Sequence, residues 1–281
     1  MRVAAAQLET RLMEPTVNLE KMLSFLERAA SQGVELVVFP ECAISGYALS
    51  ADEAERFAEP IPGPSTQALV QACNRLGLHT VVGLLEHHPH GMLFNSATLL
   101  GPSGVLAVYR KTHLPCLGVD RYLASGDDLP GPFTLPGARI GLLICYDLRL
   151  PEPIRVLTLA GVQLLAVPTA WPSTARLYSD HLARTRAAEN GVFLLAANHI
   201  GEERGTRYLG NSMILDPDGG VLEQADERDE ALLIADLDPA RADRKQRVFI
   251  PGEYELDLMG DRRPDLYRRL VDSEPQGPPS R

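Results

Sequence analysis

Short runs of β-branched and other apolar residues alternate with longer stretches of helical periodicity through most of this chain. That alternation restricts the fold to stacked α/β layers rather than separate all-α or all-β parts. VAAAQL (3–8) opens as a strand. TVNLEKMLSFLERAASQG then spaces its apolar residues helically, with Thr16 or Asn18 as a cap and Gly33 as the stop. VELVVFPE reads as a strand ending at Glu41, and a helix follows over about 65–76. HTVVGLLEH is a further strand, and FNSATLLGPSGVLAVYRK gives two strands joined at Gly-Pro-Ser-Gly, the second ending at Lys111. ARIGLLICYD is the strand that ends at Cys145. PEPIRVLTLAG begins a helix with Pro151 and Pro153 in its first turn, where a missing N–H costs little. VQLLAVPTA is a strand, SDHLARTRAAENG a helix and FLLAANHI a strand; NSMILDPDGGVLEQ turns as a hairpin, and EALLIADLD closes the sheet.

No repeat or low-complexity segment interrupts this order. A single domain spanning 1–281 is expected, with a core over about 1–238 and a charged, proline-punctuated arm over about 239–281 lying on a neighbouring surface. The formal charge of −10, with no Lys/Arg run longer than two residues, argues against a nucleic-acid partner. No apolar stretch is long enough for a membrane helix, and the amino terminus meets Glu9 too early for a signal peptide, so the expected location is the cytoplasm. The four cysteines at 42, 73, 116 and 145 form neither a disulfide ladder nor a CxxC zinc pattern. Free thiols are expected. The run EHHPH (86–90) lacks matching ligands and reads as a polar loop rather than a metal site.

Chemistry concentrates where apolar strands end. Glu41 follows VVFP, Lys111 follows VLAVYR, and Cys145 follows IGLLI. Ligand sites in α/β sheets lie at such carboxyl ends. A lone strand-end cysteine would read as core; beside a carboxylate and an ammonium it reads as a nucleophile. A thiol with a pKa near 8.5 is mostly protonated at neutral pH and needs a base or a cation to attack. Glu41 could take the proton, and Lys111 could stabilise first a thiolate and then an oxyanion.

FPE (39–41), YRKTHL (109–114) and CYDLRLPE (145–152) resemble the three catalytic motifs of the nitrilase superfamily, the carbon–nitrogen hydrolases. The resemblance covers nearly the whole chain. It includes AAAQL, the GPSG turn, VPTAWP (167–172), RAAENGVFLLAAN (186–198) and GNSMILDPDG (210–219). It implies a four-layer αββα sandwich, no metal or organic cofactor, and a thioester acyl-enzyme. Cys145 would attack an amide carbonyl, Glu41 would carry the proton to departing ammonia, and the Tyr146 backbone N–H would help Lys111 hold the oxyanion.

Many members of that family carry a second glutamate after the lysine. Here the loop KTHLPCLGVDRYLASGDD has none, and Asp120 is the acidic candidate, able to serve if the loop moves inward by about one methylene. CYDLR is similar to the Nit-type amidases, which include omega-amidases acting on amides of dicarboxylic acids, so amide hydrolysis is favoured. N-carbamoyl amine or nitrile hydrolysis by the same triad is the enzymatic alternative, and a retired small-molecule sensor or scaffold the non-enzymatic one. Arg149 is a candidate partner for a substrate carboxylate or, structurally, for Asp147 or Glu152. Trp171 is either a pocket or oligomer-contact residue or a core aromatic. Glu189 and Asn190 resemble the family's helix-end pair, which implies that they brace the site; His113 is expected to brace its loop, and His181 and Arg184 to be structural. The resemblance implies a homodimer or larger assembly, since family members commonly pair through helices flanking the sandwich, and RRPDLYRRL (262–270) could cross to a partner.

Overall fold

The computed structural model describes residues 1–272. In chain order its elements are β1 (Arg2–Glu9), α1 (Pro15–Ser31), β2 (Leu36–Val38), α2 (Ala51–Phe57), α3 (Pro64–Leu76), β3 (His79–His87), β4 (Leu93–Gly101) and β5 (Gly104–Arg110). There follow β6 (Phe133–Leu135), β7 (Ala138–Leu142), α4 (Pro151–Leu159), β8 (Leu164–Pro168), α5 (Ala183–Asn190), β9 (Phe193–Ala197) and β10 (His199–Ile200). The chain continues through β11 (Glu202–Glu203), β12 (Thr206–Arg207), β13 (Met213–Leu215), β14 (Val221–Gln224) and β15 (Ala231–Asp236), then β16 (Gln246–Ile250) and β17 (Tyr254–Asp257).

Two sheets face each other. One has the order β10-β1-β2-β3-β4-β5, with β15 also on β1; the other has the order β14-β13-β9-β8-β7-β6. The period-2 alternation of β1 shows how they stack. Val3 and Ala5 pack with Leu142 and Leu165 toward the second sheet, whereas Ala4, Ala6 and Leu8 pack with Met22, Phe25 and Leu69 of α1 and α3. Burial on both faces explains why β1 is a nearly unbroken apolar run. Ile154 and Leu157 of α4 and Ala183 and Ala187 of α5 join the core of the second sheet, completing the αββα layers. Strands β1–β3 and β7–β9 run parallel, so their carboxyl ends lie at corresponding edges.

Local departures from the sequence reading have tertiary causes. Glu14 precedes α1 and no side chain caps it; Thr16 and Asn18 lie within the helix. The Asn18 amide instead holds the preceding loop, accepting from Arg11 N–H and donating to the carbonyls of Arg11 and Ile44. FLLAANHI is two strands: β9 belongs to the second sheet, but after Asn198 the chain crosses to pair β10 with β1 of the first. Strand β15 likewise closes the first sheet rather than that of the β13–β14 hairpin. No helix among the described residues is long and apolar enough to cross a membrane.

Beyond β15 the chain forms a 3-10 turn at Pro239–Asp243, the β16–β17 hairpin and two further turns up to Leu270. Lys245 donates to the carbonyls of Asn190 and Gly191 at the end of α5, while Arg262, Tyr267 and Leu270 line an open cavity together with Val156 of α4. The expected arm continues to 281, and residues 273–281 lie outside the described residues.

Candidate active site

Three strand ends deliver the three expected residues to one buried cluster. Glu41 stands three residues past β2, Lys111 directly follows β5, and Cys145 starts a 3-10 turn (Cys145–Arg149) three residues past β7. Lys111 Nζ donates to Glu41 Oε1 at 2.6 Å and to Asp120 Oδ2 at 2.5 Å. Asn95 on β4 donates to the same Glu41 oxygen at 2.7 Å and to Asp120 Oδ1 at 2.8 Å. Glu41 and Lys111 are fully buried, and Cys145 is only 7% exposed.

The other Glu41 oxygen, Oε2, is buried without a hydrogen-bond partner. Glu41 also acts directly on the Cys145 thiol. Burial, and next the Glu41 charge, push that thiol well above its ordinary range, against the opposing Lys111 charge and the Ala170 N–H. Two carboxylates and one ammonium leave the cluster net negative, so a thiolate would add a second uncompensated charge. The resting sulfur is therefore a protonated thiol, and attack requires a base. Burial likewise raises the Glu41 carboxyl, offset by Lys111 and reinforced by Asp120. For Lys111, burial acts downward, but the Asp120 and Glu41 charges overcome it and hold the ammonium well above its usual range.

Backbone geometry presents these groups. Cys145 adopts φ +46°, and the residue after Glu41, Cys42, adopts φ +49°. Both are left-handed conformations unusual for a side chain with a Cβ. Gly83 on β3 lets the Glu41 loop sit against the sheet, since a Cβ there would lie 2.6 Å from Glu41 Cα and 2.7 Å from Pro40 O. Tyr146 is the second residue of its turn, where backbone N–H groups have no carbonyl partner within the turn. An ammonium has three donors. Two of those on Lys111 are engaged by Glu41 and Asp120, leaving one for an incoming oxygen.

The remaining expected residues divide. Asp120 joins the cluster. Glu189 does not: its carboxylate accepts from Arg186 Nη1 at 2.9 Å, and Arg186 donates onward to the carbonyls of Leu148 and Arg149. It thus steadies the turn that carries Cys145. Arg149 is exposed and pairs with neither Asp147 nor Glu152. Asp147 is engaged instead by Tyr109, His113 and the Ile144 N–H, so that His113, expected only to brace its own loop, ties that loop to the cysteine turn. Trp171 is fully buried and stacks on Tyr178 at 5.6 Å, which removes the oligomer-contact reading. His181 and Arg184 are exposed and have no carboxylate partner among the described residues. Glu86 of EHHPH is buried in β3 and bonded to Ser96 and Arg110. Among the described residues no group of His, Cys, Asp or Glu is arranged to hold a metal.

Several residues at the site had not been singled out. Asn95 bridges the two carboxylates; its only sequence signal is a polar residue inside an apolar strand. His199 Nε2 lies 2.6 Å from Glu41 O, and its Nδ1 contacts Thr10 Oγ1, so the crossing at Asn198 places a brace behind Glu41. Burial lowers the His199 pKa, which keeps that ring neutral. Nothing in local sequence marks His199, because its role follows from a change of sheet.

Sandwich and buried Glu–Lys–Cys cluster together define a class of cysteine hydrolases. Residues 2–247 match the family model described as carbon-nitrogen hydrolase. The chain belongs to that family. It is 32% identical over 272 residues to a nitrilase of Pyrococcus abyssi, covering 96% of this chain and all of the relative. It is also 32% identical to the omega-amidase NIT2 of Homo sapiens, over 92% of this chain and 96% of that protein. A mutant amidase from Nesterenkonia sp. AN1, with the acetamide moiety of fluoroacetamide added covalently at its active-site cysteine, superposes with a TM-score of 0.79 at 28% identity, covering 96% of this chain and 97% of that one.

Proposed function

We propose that the chain is a cysteine-dependent amidase that hydrolyses a small amide through a thioester, with Glu41, Lys111 and Cys145 as its catalytic residues. The observation that carries this reading is the unpartnered, buried Oε2 of Glu41 beside a protonated thiol, with Lys111 bonded to the other oxygen. The amidase and omega-amidase relatives support it. Cys145 Sγ attacks the carbonyl carbon while Glu41 takes the thiol proton and the carbonyl π electrons move to oxygen. Lys111 and the Tyr146 N–H hold that oxyanion, each such donor being worth about 3 to 4 kcal/mol. As the oxyanion collapses the C–N bond breaks, and Glu41 delivers the proton to departing ammonia. Water then gives a proton to Glu41 and attacks the thioester; the intermediate collapses with cleavage of the C–S bond, and Glu41 returns the proton to sulfur, releasing the acid and the free thiol.

Intact-mass measurement with a panel of small amides, nitriles and N-carbamoyl amines tests this. The expected result is an acyl adduct on Cys145, with ammonia and a carboxylic acid as products from amides. Binding without adduct or turnover across the panel would favour a sensor; turnover confined to nitriles or carbamoyl compounds would reassign the substrate.

The electrostatics give a pH profile. A base whose pKa is raised loses function as pH falls through that raised value, so the acid limb of kcat/KM lies above the ordinary glutamate value of about 4.3. The protonated thiol, raised well above its usual range, extends the plateau past about pH 8.5. An acid limb below pH 4 would contradict the assignment of Glu41 as base.

The chain is further proposed to act as one domain in a homo-oligomer within the cytoplasm, where reducing conditions keep Cys145 free. Val156 and Leu159 of α4 and Leu266 and Leu270 of the arm are exposed apolar residues suited to such a contact. Light scattering should give a dimer mass or more, lowered by Leu270→Glu; a monomer at micromolar concentration removes the assembly. Secretion of the protein in its native host would remove the cytoplasmic assignment.

A further inference from the structure

Asp120 reaches Lys111 although its side chain is short, because its turn (Gly118–Tyr122) lies directly on the ring of Tyr47. A Cβ on Gly118 would sit 2.3 Å from Tyr47 Cε1 and 2.6 Å from Cδ1, and Gly118 also takes φ +49°. Glycine alone permits that approach without displacement. The turn is stitched to Tyr47 twice: Val119 N–H donates to Tyr47 O at 3.0 Å, and the Tyr47 hydroxyl lies 2.9 Å from Asp120 Oδ2. The hydroxyl is also 3.1 Å from Leu117 O, but its single proton goes preferentially to the charged acceptor.

Tyr47 is held from behind. Glu203 Oε2 accepts from Tyr47 N–H at 2.9 Å, Ala48 N–H at 2.8 Å and the Tyr208 hydroxyl at 2.8 Å. Glu203 is itself buried. The β11–β12 hairpin thereby fixes a tyrosine that faces the catalytic cluster.

We propose that Tyr47 is a positioning residue of the active site, whose hydroxyl shares Asp120 Oδ2 with Lys111, and that Gly118 is what lets Asp120 close on it. The inference rests on the amidase reading above. By sharing Asp120 Oδ2 with the ammonium, the phenol keeps Lys111 balanced between Asp120 and Glu41. Without that proton Asp120 draws the ammonium toward itself and away from Glu41. Less cationic support for Glu41, with a more concentrated neighbouring negative charge, raises the Glu41 pKa further.

Tyr47→Phe tests this because it keeps the ring against Gly118 and removes only the hydroxyl. The rate of Cys145 alkylation by iodoacetamide, read by peptide mass mapping against pH, requires no amidase activity, so it remains informative if the substrate reading fails. Its acid limb should move to higher pH in Tyr47→Phe. With an amide that the wild type hydrolyses, kcat should fall about 10- to 100-fold while KM changes little. In an Asp120→Asn background Tyr47→Phe should have little further effect, since the two share one function. Gly118→Ala, with folding checked by circular dichroism, should move the alkylation limb in the same direction. A Tyr47→Phe pH profile superimposing on wild type, or losses that simply add in the Tyr47–Asp120 cycle, would overturn the proposal.

Discussion

Cys145→Ala is expected to reduce amide turnover by at least about 10⁴-fold and to abolish the acyl adduct while leaving the protein folded. Removal of the sulfur removes the atom proposed to form the thioester, and no neighbour is placed to replace it: the other buried thiol nearby, Cys42, has its Sγ directed at Asn95 Oδ1 (3.8 Å). Folding should tolerate the change. Cys145 is a small residue at the edge of the core, and its φ of +46° is as unusual for alanine as for cysteine, so backbone strain is unchanged. Urea denaturation should place the variant within about 1 kcal/mol of wild type, less than a large core truncation costs. Residual turnover within tenfold of wild type would mean that another group is the nucleophile. Loss of activity accompanied by unfolding would leave the role of the sulfur to Cys145→Ser, which preserves size and hydrogen bonding and should be similarly inactive.

Lys111→Met is expected to be inactive and also to destabilise the fold by about 3 to 5 kcal/mol, the usual consequence of removing one partner from a buried ion pair. The ammonium is the only cation bonded to either Glu41 or Asp120 among the described residues, and both carboxylates are buried. Without it two negative charges face each other through Asn95. One of them would then take up a proton in the folded state at a pH where the unfolded chain is ionised. The folded variant therefore binds more protons than its unfolded form, and its stability rises as pH falls. The difference in denaturation midpoint from wild type should be larger at pH 8 than at pH 5. A deficit independent of pH would show that lost packing, rather than unpaired charge, is responsible. Against a typical domain stability of about 5 to 15 kcal/mol, the variant should still be measurable.

The order of strands and helices follows from local periodicity, and so do the strand ends that carry Glu41, Lys111 and Cys145. Each of these side chains follows an apolar run that must be buried, and the parallel connections bring the run ends together. Periodicity therefore specified stacked α/β layers and the strand ends that carry Glu41, Lys111 and Cys145; the αββα arrangement and the candidacy of Asp120 followed from the resemblance to the nitrilase superfamily.

Other features depend on long-range packing and have no local signature. FLLAANHI is apolar enough to form one strand, but the edge of β1 beyond Gln7 is free of β15, and β10 fills it after the chain crosses at Asn198. That crossing carries His199 to the carbonyl of Glu41, 158 positions away in sequence. Asn18 resembled a helix cap because its side chain suits one; Arg11 and Ile44 claimed that amide instead. Glu189 was legible as a brace, but the route through Arg186 to the cysteine turn was not. Asp120 could be named only because the family resemblance implies an acidic residue in its loop. Whether a side chain one methylene short could reach Lys111 was decided by the contact between Gly118 and the Tyr47 ring, because a glycine's missing Cβ has meaning only once the surface it approaches is in place.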